Sequence, residues 1–146
     1  MTERALVVGR DGRAKAYRPL PDAERSAALA AGLAAYEQGD FFLAHELLEP
    51  AWMGTPDLSE RALLQGIIKL AAAYVHDVRG NPSGIVRNLT GARRLLDEAR
   101  TTGPEVNVAG LDLTALIVTI DERLADLADH PSGPTLGRPD LRRSVP

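Results

Sequence analysis

The sequence predicts an all-α protein of about five helices arranged as stacked antiparallel helical hairpins. Three observations carry that prediction. Apolar residues recur at helical spacing over most of the chain. Each such run follows a residue that caps helix N-termini well, namely Asp22, Asp40, Thr55, Asn81 or Asp112. The runs are separated by short glycine-bearing turns at Gly39, Gly54, Gly80 and Gly103, where a left-handed residue can close a helix. Short connections make consecutive helices antiparallel neighbours.

The expected helices are 22–38, 40–53, 56–79, 82–102 and 112–129. Pro56 and Pro82 stand just inside two of the starts, where a missing N–H costs little. The first helix places Leu29, Leu33 and Tyr36 on one side. The third is apolar nearly all round, which suits a central helix. The fourth gathers Ile85, Leu89, Ala92, Leu96 and Ala99 on one face, with Arg87, Arg93, Arg94 and Arg100 mostly away from it. The fifth turns Leu113, Leu116, Ile117, Ile120, Leu124 and Leu127 inward. Upstream, residues 5–8 and 14–17 flank Asp11-Gly12, so a small N-terminal β-hairpin is expected there. The organisation is then an N-terminal arm over 1–21, a helical domain over 22–130 and a flexible C-terminal tail over 131–146. The tail has Pro131, Pro134, Pro139 and Pro146 and few apolar residues.

A weak internal echo runs through the helical domain. Leu33-Ala-Ala-Tyr36 leads to Gly39-Asp40, and Leu70-Ala-Ala-Ala-Tyr74 leads to Gly80-Asn81. The first copy has the aromatic–turn–alanine rhythm of a tetratricopeptide hairpin, but no fixed period is sustained.

Composition excludes several function classes. The chain of 146 residues has no cysteine, so disulfide scaffolds, thiolate metal sites and cysteine nucleophiles are out. His45, His76 and His130 are the only imidazoles. The net charge of −3 argues against nucleic acid as a partner. It is unevenly spread: residues 1–18 hold five basic and two acidic groups, residues 131–146 three basic and one acidic, and the middle is strongly acidic. The apolar stretch 62–75 is short and contains Gln65 and Lys69, so no membrane partner is expected, and the default location is cytoplasmic. Neither a Gly-x-Ser-x-Gly elbow nor a phosphate-binding glycine loop is present.

The second helix carries the residues best suited to chemistry. At about 100° per residue, Phe41, His45, Leu48, Glu49 and Trp52 share one stripe, with Glu46 roughly a quarter turn away. A carboxylate on a buried stripe must be paired, protonated or bound to a cation. On the third helix, Gln65, Lys69, Ala72 and His76 share a side. In an antiparallel pair the start of one helix faces the end of the next, which brings His45 towards His76. Pro50 follows Glu49 and is expected to kink the helix, since it removes the bond to the Glu46 carbonyl.

The run Gly39-Asp40-Phe41-Phe42 followed by His45-x-x-x-Glu49-x-x-Trp52 resembles the signature of domain-of-unknown-function family 309 of bacteria and archaea. Leu64-Gln65-Gly66-Ile67-Ile68, the Ala72-x-x-x-His76 spacing and the Gly80-Asn81 turn fit it too, so the resemblance covers roughly residues 25–100. It implies an all-helical fold and a metal site at the His and Glu of the motif, without an established activity.

Two functional expectations follow. In one, His45, Glu49 and His76 bind a divalent metal ion or frame a small-ligand site between the second and third helices. Gln65, Trp52 and Phe41 line it, and Glu46 is the carboxylate available as a base for hydrolysis. The helix reads His-Glu-x-x-Glu, unlike the His-Glu-x-x-His of zinc proteases. In the other, the chain is a non-catalytic tetratricopeptide-like interaction module or homo-oligomer. The same polar residues, with Arg61, then form a buried network that fixes helix register, and His45→Ala costs a few kcal/mol.

Overall fold

In a computed structural model the described residues are 6–8, 14–16, 19–102, 111–129 and 136. Five helices make up the body: α1 Asp22–Glu37, α2 Phe41–Gly54, α3 Leu58–Val78, α4 Pro82–Thr102 and α5 Leu113–Asp129. The all-α expectation is borne out, with starts and ends within two residues of those read from the sequence. The segments Leu6–Val8 and Ala14–Ala16 pair antiparallel. Residues 9–13, which would make their turn, lie outside the described residues, so the expected hairpin has no support as an element of the fold. His130 and all of the tail except Leu136 also lie outside.

Each consecutive helix pair packs together, α3 with α4 most extensively. Twelve of the 21 residues of α3 are buried, which makes it the central helix its all-round apolarity predicts. Leu33, Leu48, Leu63, Ile67, Leu89, Leu96 and Ile120 are among the side chains fully removed from water. Burying a leucine or isoleucine of this kind contributes about 1.5–3 kcal/mol, so the shared core is the main source of stability.

The two hairpin turns are built alike. Gly39 (φ 86°) and Gly80 (φ 67°) hold the left-handed conformation that a β-carbon disfavours. Behind Gly39, its N–H donates to the Tyr36 carbonyl and Asp40 N–H to that of Ala35. Behind Gly80, its N–H donates to the Asp77 carbonyl and Asn81 N–H to that of His76. Both are Schellman closures. The next helix is then capped by the residue after the glycine: Asp40 Oδ1 accepts from Leu43 N–H at 3.2 Å, and Asn81 Oδ1 from Gly84 N–H at 3.4 Å. The echo in the sequence is therefore an echo in turn geometry.

Three expected boundaries move. Asp22 is the first helical residue, and Pro21 occupies the cap position. Asp57 caps α3 in place of Thr55, accepting from Glu60 N–H at 2.9 Å. Pro56 holds the residue before it in an extended conformation, which delays the helix. Gly54 closes nothing with a positive φ; it ends α2, and its carbonyl accepts from Leu20 N–H. Pro50 sits inside α2, which runs on through Gly54. Both Pro50 and Glu46 are exposed, so water can serve the carbonyl that proline leaves without a donor.

Candidate functional site

The buried stripe of α2 is Ala44, Leu48, Ala51 and Trp52. Phe41, His45 and Glu49 flank it half-buried, and Glu46 is exposed. His45 Nδ1 lies 3.7 Å from Glu49 Oε2, one helical turn along the same helix. Their side chains keep 22% and 29% of their accessible surface, so this pair is at the edge of the core. Trp52 packs within the core at 3% exposure.

Phe41 stacks on Tyr74 with ring centroids 4.4 Å apart, and Tyr36 meets both rings edge-on. This aromatic triad pins α1, α2 and α3 together at one level. It also sets the register of α2 against α3. His45 lies four residues beyond Phe41 in one axial direction, and His76 two residues beyond Tyr74 in the other. At 1.5 Å per residue the two histidines are staggered by roughly 9 Å along the helix axes. The helix α3 is seven residues longer than α2 and overhangs it. Pairing the start of α2 with the very end of α3 ignores that overhang.

The face of α3 that carries His76 turns to α4. A β-carbon added at Gly84 would overlap the His76 ring, and one at Gly91 would fall 2.9 Å from Lys69 Cδ. Gly84 and Gly91 are seven residues apart on α4, as Lys69 and His76 are on α3. Two polar side chains thus lie over two glycines in one antiparallel register. Gln65 falls on the same stripe of α3 by helical spacing and is half-buried. Gly66 approaches Leu96 in the same interface, with an added β-carbon 2.8 Å from Leu96 Cδ2.

His76 has its own local partner. Asn81 Nδ2 lies 3.1 Å from His76 Nδ1. The Asn81 carbonyl oxygen accepts from Ser83 Oγ and Gly84 N–H, which orients its amide and makes Nδ2 the donor. Sequence reasoning named Asn81 as a helix cap and part of the glycine turn, not as a partner of His76. The signal it offered was the five-residue spacing from His76 across the glycine turn.

Among the described residues, no three His, Cys, Asp or Glu side chains gather as a metal-holding group. The structure brings His45 and Glu49 together on α2 and places His76 against Gly84 of α4. Arg61 donates to the Thr55 carbonyl at 3.0 Å, securing the α2–α3 connection. Arg25 donates to Glu60, Asp22 and the Leu20 carbonyl, tying α1 to α3. Burial pulls the Arg25 guanidinium down, but the bonds to Glu60 and Asp22 and their charges outweigh that and raise it.

Residues 29–88 match the family described as Domain of unknown function (DUF309). The match spans both glycine turns and the whole His45–Glu49–Trp52 motif, and it bears out the family expected from those residues. The chain is also similar to the uncharacterized protein YpuF of Bacillus subtilis (strain 168), 26% identical over 93 residues. That similarity covers 64% of this chain and 53% of the relative, so the chain spans about half the length of YpuF. No solved structure matches the chain.

Proposed function

We propose that this chain, a DUF309 protein over residues 29–88, is a non-catalytic helical interaction module. One observation carries the reading. The polar residues best suited to chemistry fall into two local pairs, His45 with Glu49 within α2 and His76 with Asn81 across the α3–α4 turn. A hydrolytic metal centre needs at least three convergent ligands and an open position. Here His45 and Glu49 come together on α2, and Glu46 is turned to solvent.

The exposed surface of α2 agrees with a binding role. Phe42 and Leu43 keep 61% and 41% of their accessible surface. They stand on a hairpin, residues 19–57, that holds seven acidic groups and one arginine. Apolar side chains in an acidic field favour a protein partner with basic and apolar groups over nucleic acid. No helix among the described residues is long and apolar enough to cross a membrane.

Elemental analysis of untagged protein, with thermal melts in added zinc, manganese and nickel, tests the reading. We expect substoichiometric metal and an unchanged Tm. One equivalent of metal, or a Tm raised by several degrees and lost in His45→Ala, would favour the metal or small-ligand site and overturn the module.

A further inference from the structure

Two helix faces of opposite charge look away from the core. On α2, Phe42, Leu43, Glu46 and Pro50 are exposed, and Glu49 and Met53 are half-buried. Helical spacing sets these six within about a third of the helix circumference. From Asp40 to Gly54 the chain holds three acidic groups and no lysine or arginine.

On α4, Ser83, Val86, Arg87, Thr90 and Arg94 are exposed. They too share about a third of the circumference. From Pro82 to Leu96 the chain holds three arginines and no acidic group. Arg93 is held by Asp121 at 2.6 Å. Arg87, Arg94 and Glu46 join no ion pair among the described residues. Both α2 and α4 pack against α3. Their outward faces are open to solvent and do not meet within one chain.

These faces allow three contacts between two copies of the chain. Setting α2 on α2 opposes Asp40 and Glu46 to their own copies, and α4 on α4 does the same to Arg87 and Arg94. Both bring like charges together. Setting α2 on α4 joins carboxylate to guanidinium. It also lays Phe42 and Leu43 beside Val86 and the aliphatic stems of the arginines.

We propose that the α2 face docks on the α4 face of a second copy of this chain. The proposal rests on the reading of α2 as a binding surface and names its partner. The contact is heterologous. Each docked pair still presents one α2 face and one α4 face, so association continues past two copies, into a ring or an open chain.

Sedimentation equilibrium of the full-length chain at roughly 0.05 M and roughly 0.5 M salt tests this, since exposed charges are screened far more at the second. The average mass is expected to rise with concentration beyond that of a dimer, and association to weaken roughly ten-fold or more at high salt. Phe42→Arg with Glu46→Arg in one variant, and Arg87→Glu with Arg94→Glu in another, should each weaken self-association roughly ten-fold or more. Mixing the two variants should restore it, because the mixture again offers faces of opposite charge. All four positions are exposed, so helical circular dichroism should be unchanged. If a variant loses it, Glu46→Gln or Arg87→Gln takes its place. Association that stops at two copies, that ignores salt, or that either variant leaves unchanged overturns the proposal. A monomer at every concentration overturns it too and assigns the α2 face to a different protein. The interaction-module reading falls separately, on one equivalent of bound metal.

Discussion

The α1–α2 and α3–α4 hairpins share a turn and differ in what crosses between their helices. Both close on a left-handed glycine and restart on an Asx cap. In the first, Gly32 admits Leu48, with an added β-carbon 2.5 Å from Leu48 Cγ, while its polar pair, His45 and Glu49, stays within one helix. In the second, Gly66 admits Leu96, but Gly84 and Gly91 also admit the polar side chains of His76 and Lys69. Their charges differ as well. Residues 19–57 hold seven acidic groups and one basic, and residues 58–102 four acidic and seven basic. One turn chemistry thus supports two interfaces, one of apolar and aromatic contacts and one in which polar stems are packed over glycine. The lesson is that a repeated turn does not imply a repeated face.

Four perturbations break or sharpen this contrast. The largest effects belong to what the hairpins share. Leu48→Ala and Leu96→Ala each remove a fully buried side chain seated on a glycine, and each is expected to cost about 2–5 kcal/mol in urea denaturation. A much smaller loss in one would show that its hairpin collapses onto the cavity.

Next comes the feature that separates them. Gly84→Val drives side-chain atoms into the His76 ring and is expected to cost about 1–3 kcal/mol. In a His76→Ala background that cost should fall by at least half, as a double-mutant cycle would register. Additive losses would mean that His76 is not what fills the space over Gly84.

The shared turn supplies the third test. Gly39→Ala and Gly80→Ala force a β-carbon into a left-handed conformation and should each lower stability by about 1 kcal/mol. Similar values in equilibrium unfolding would support the equivalence of the two turns; a wide gap would break it.

The smallest effect is expected at the motif itself. His45→Ala removes a 3.7 Å contact with Glu49 at the edge of the core, so the loss is about 0.5–1 kcal/mol by chemical denaturation. This is below the few kcal/mol that a fully buried network would imply. A loss above 2 kcal/mol would return His45 to such a network.

Much of the fold was legible in the chain. The stripes Leu29–Leu33–Tyr36 and Ile85–Leu89–Ala92–Leu96–Ala99 are buried as their spacing requires. Gly39-Asp40 and Gly80-Asn81 close and cap as their residue types require. Thr55 was misread because Asp57 competes for the same role two residues later. The site was legible only within one helix. The closeness of His45 and Glu49 follows from their spacing, since residues four apart lie one turn apart on any α-helix. The place of His76 did not follow, because its neighbours come from another helix.

By itself the sequence determined the helices, their caps and turns, the central position of α3 and the His45–Glu49 pair. These depend on contacts within a few residues or on apolar periodicity along one element. Only the tertiary structure decided that Phe41 stacks on Tyr74, that the polar stripe of α3 lies over the glycines of α4, and that Leu136 returns to a seat beside Asp77. Each depends on the axial offset or rotation of one segment against another. Side-chain fit across the interface sets those, and no periodicity within a single element records them.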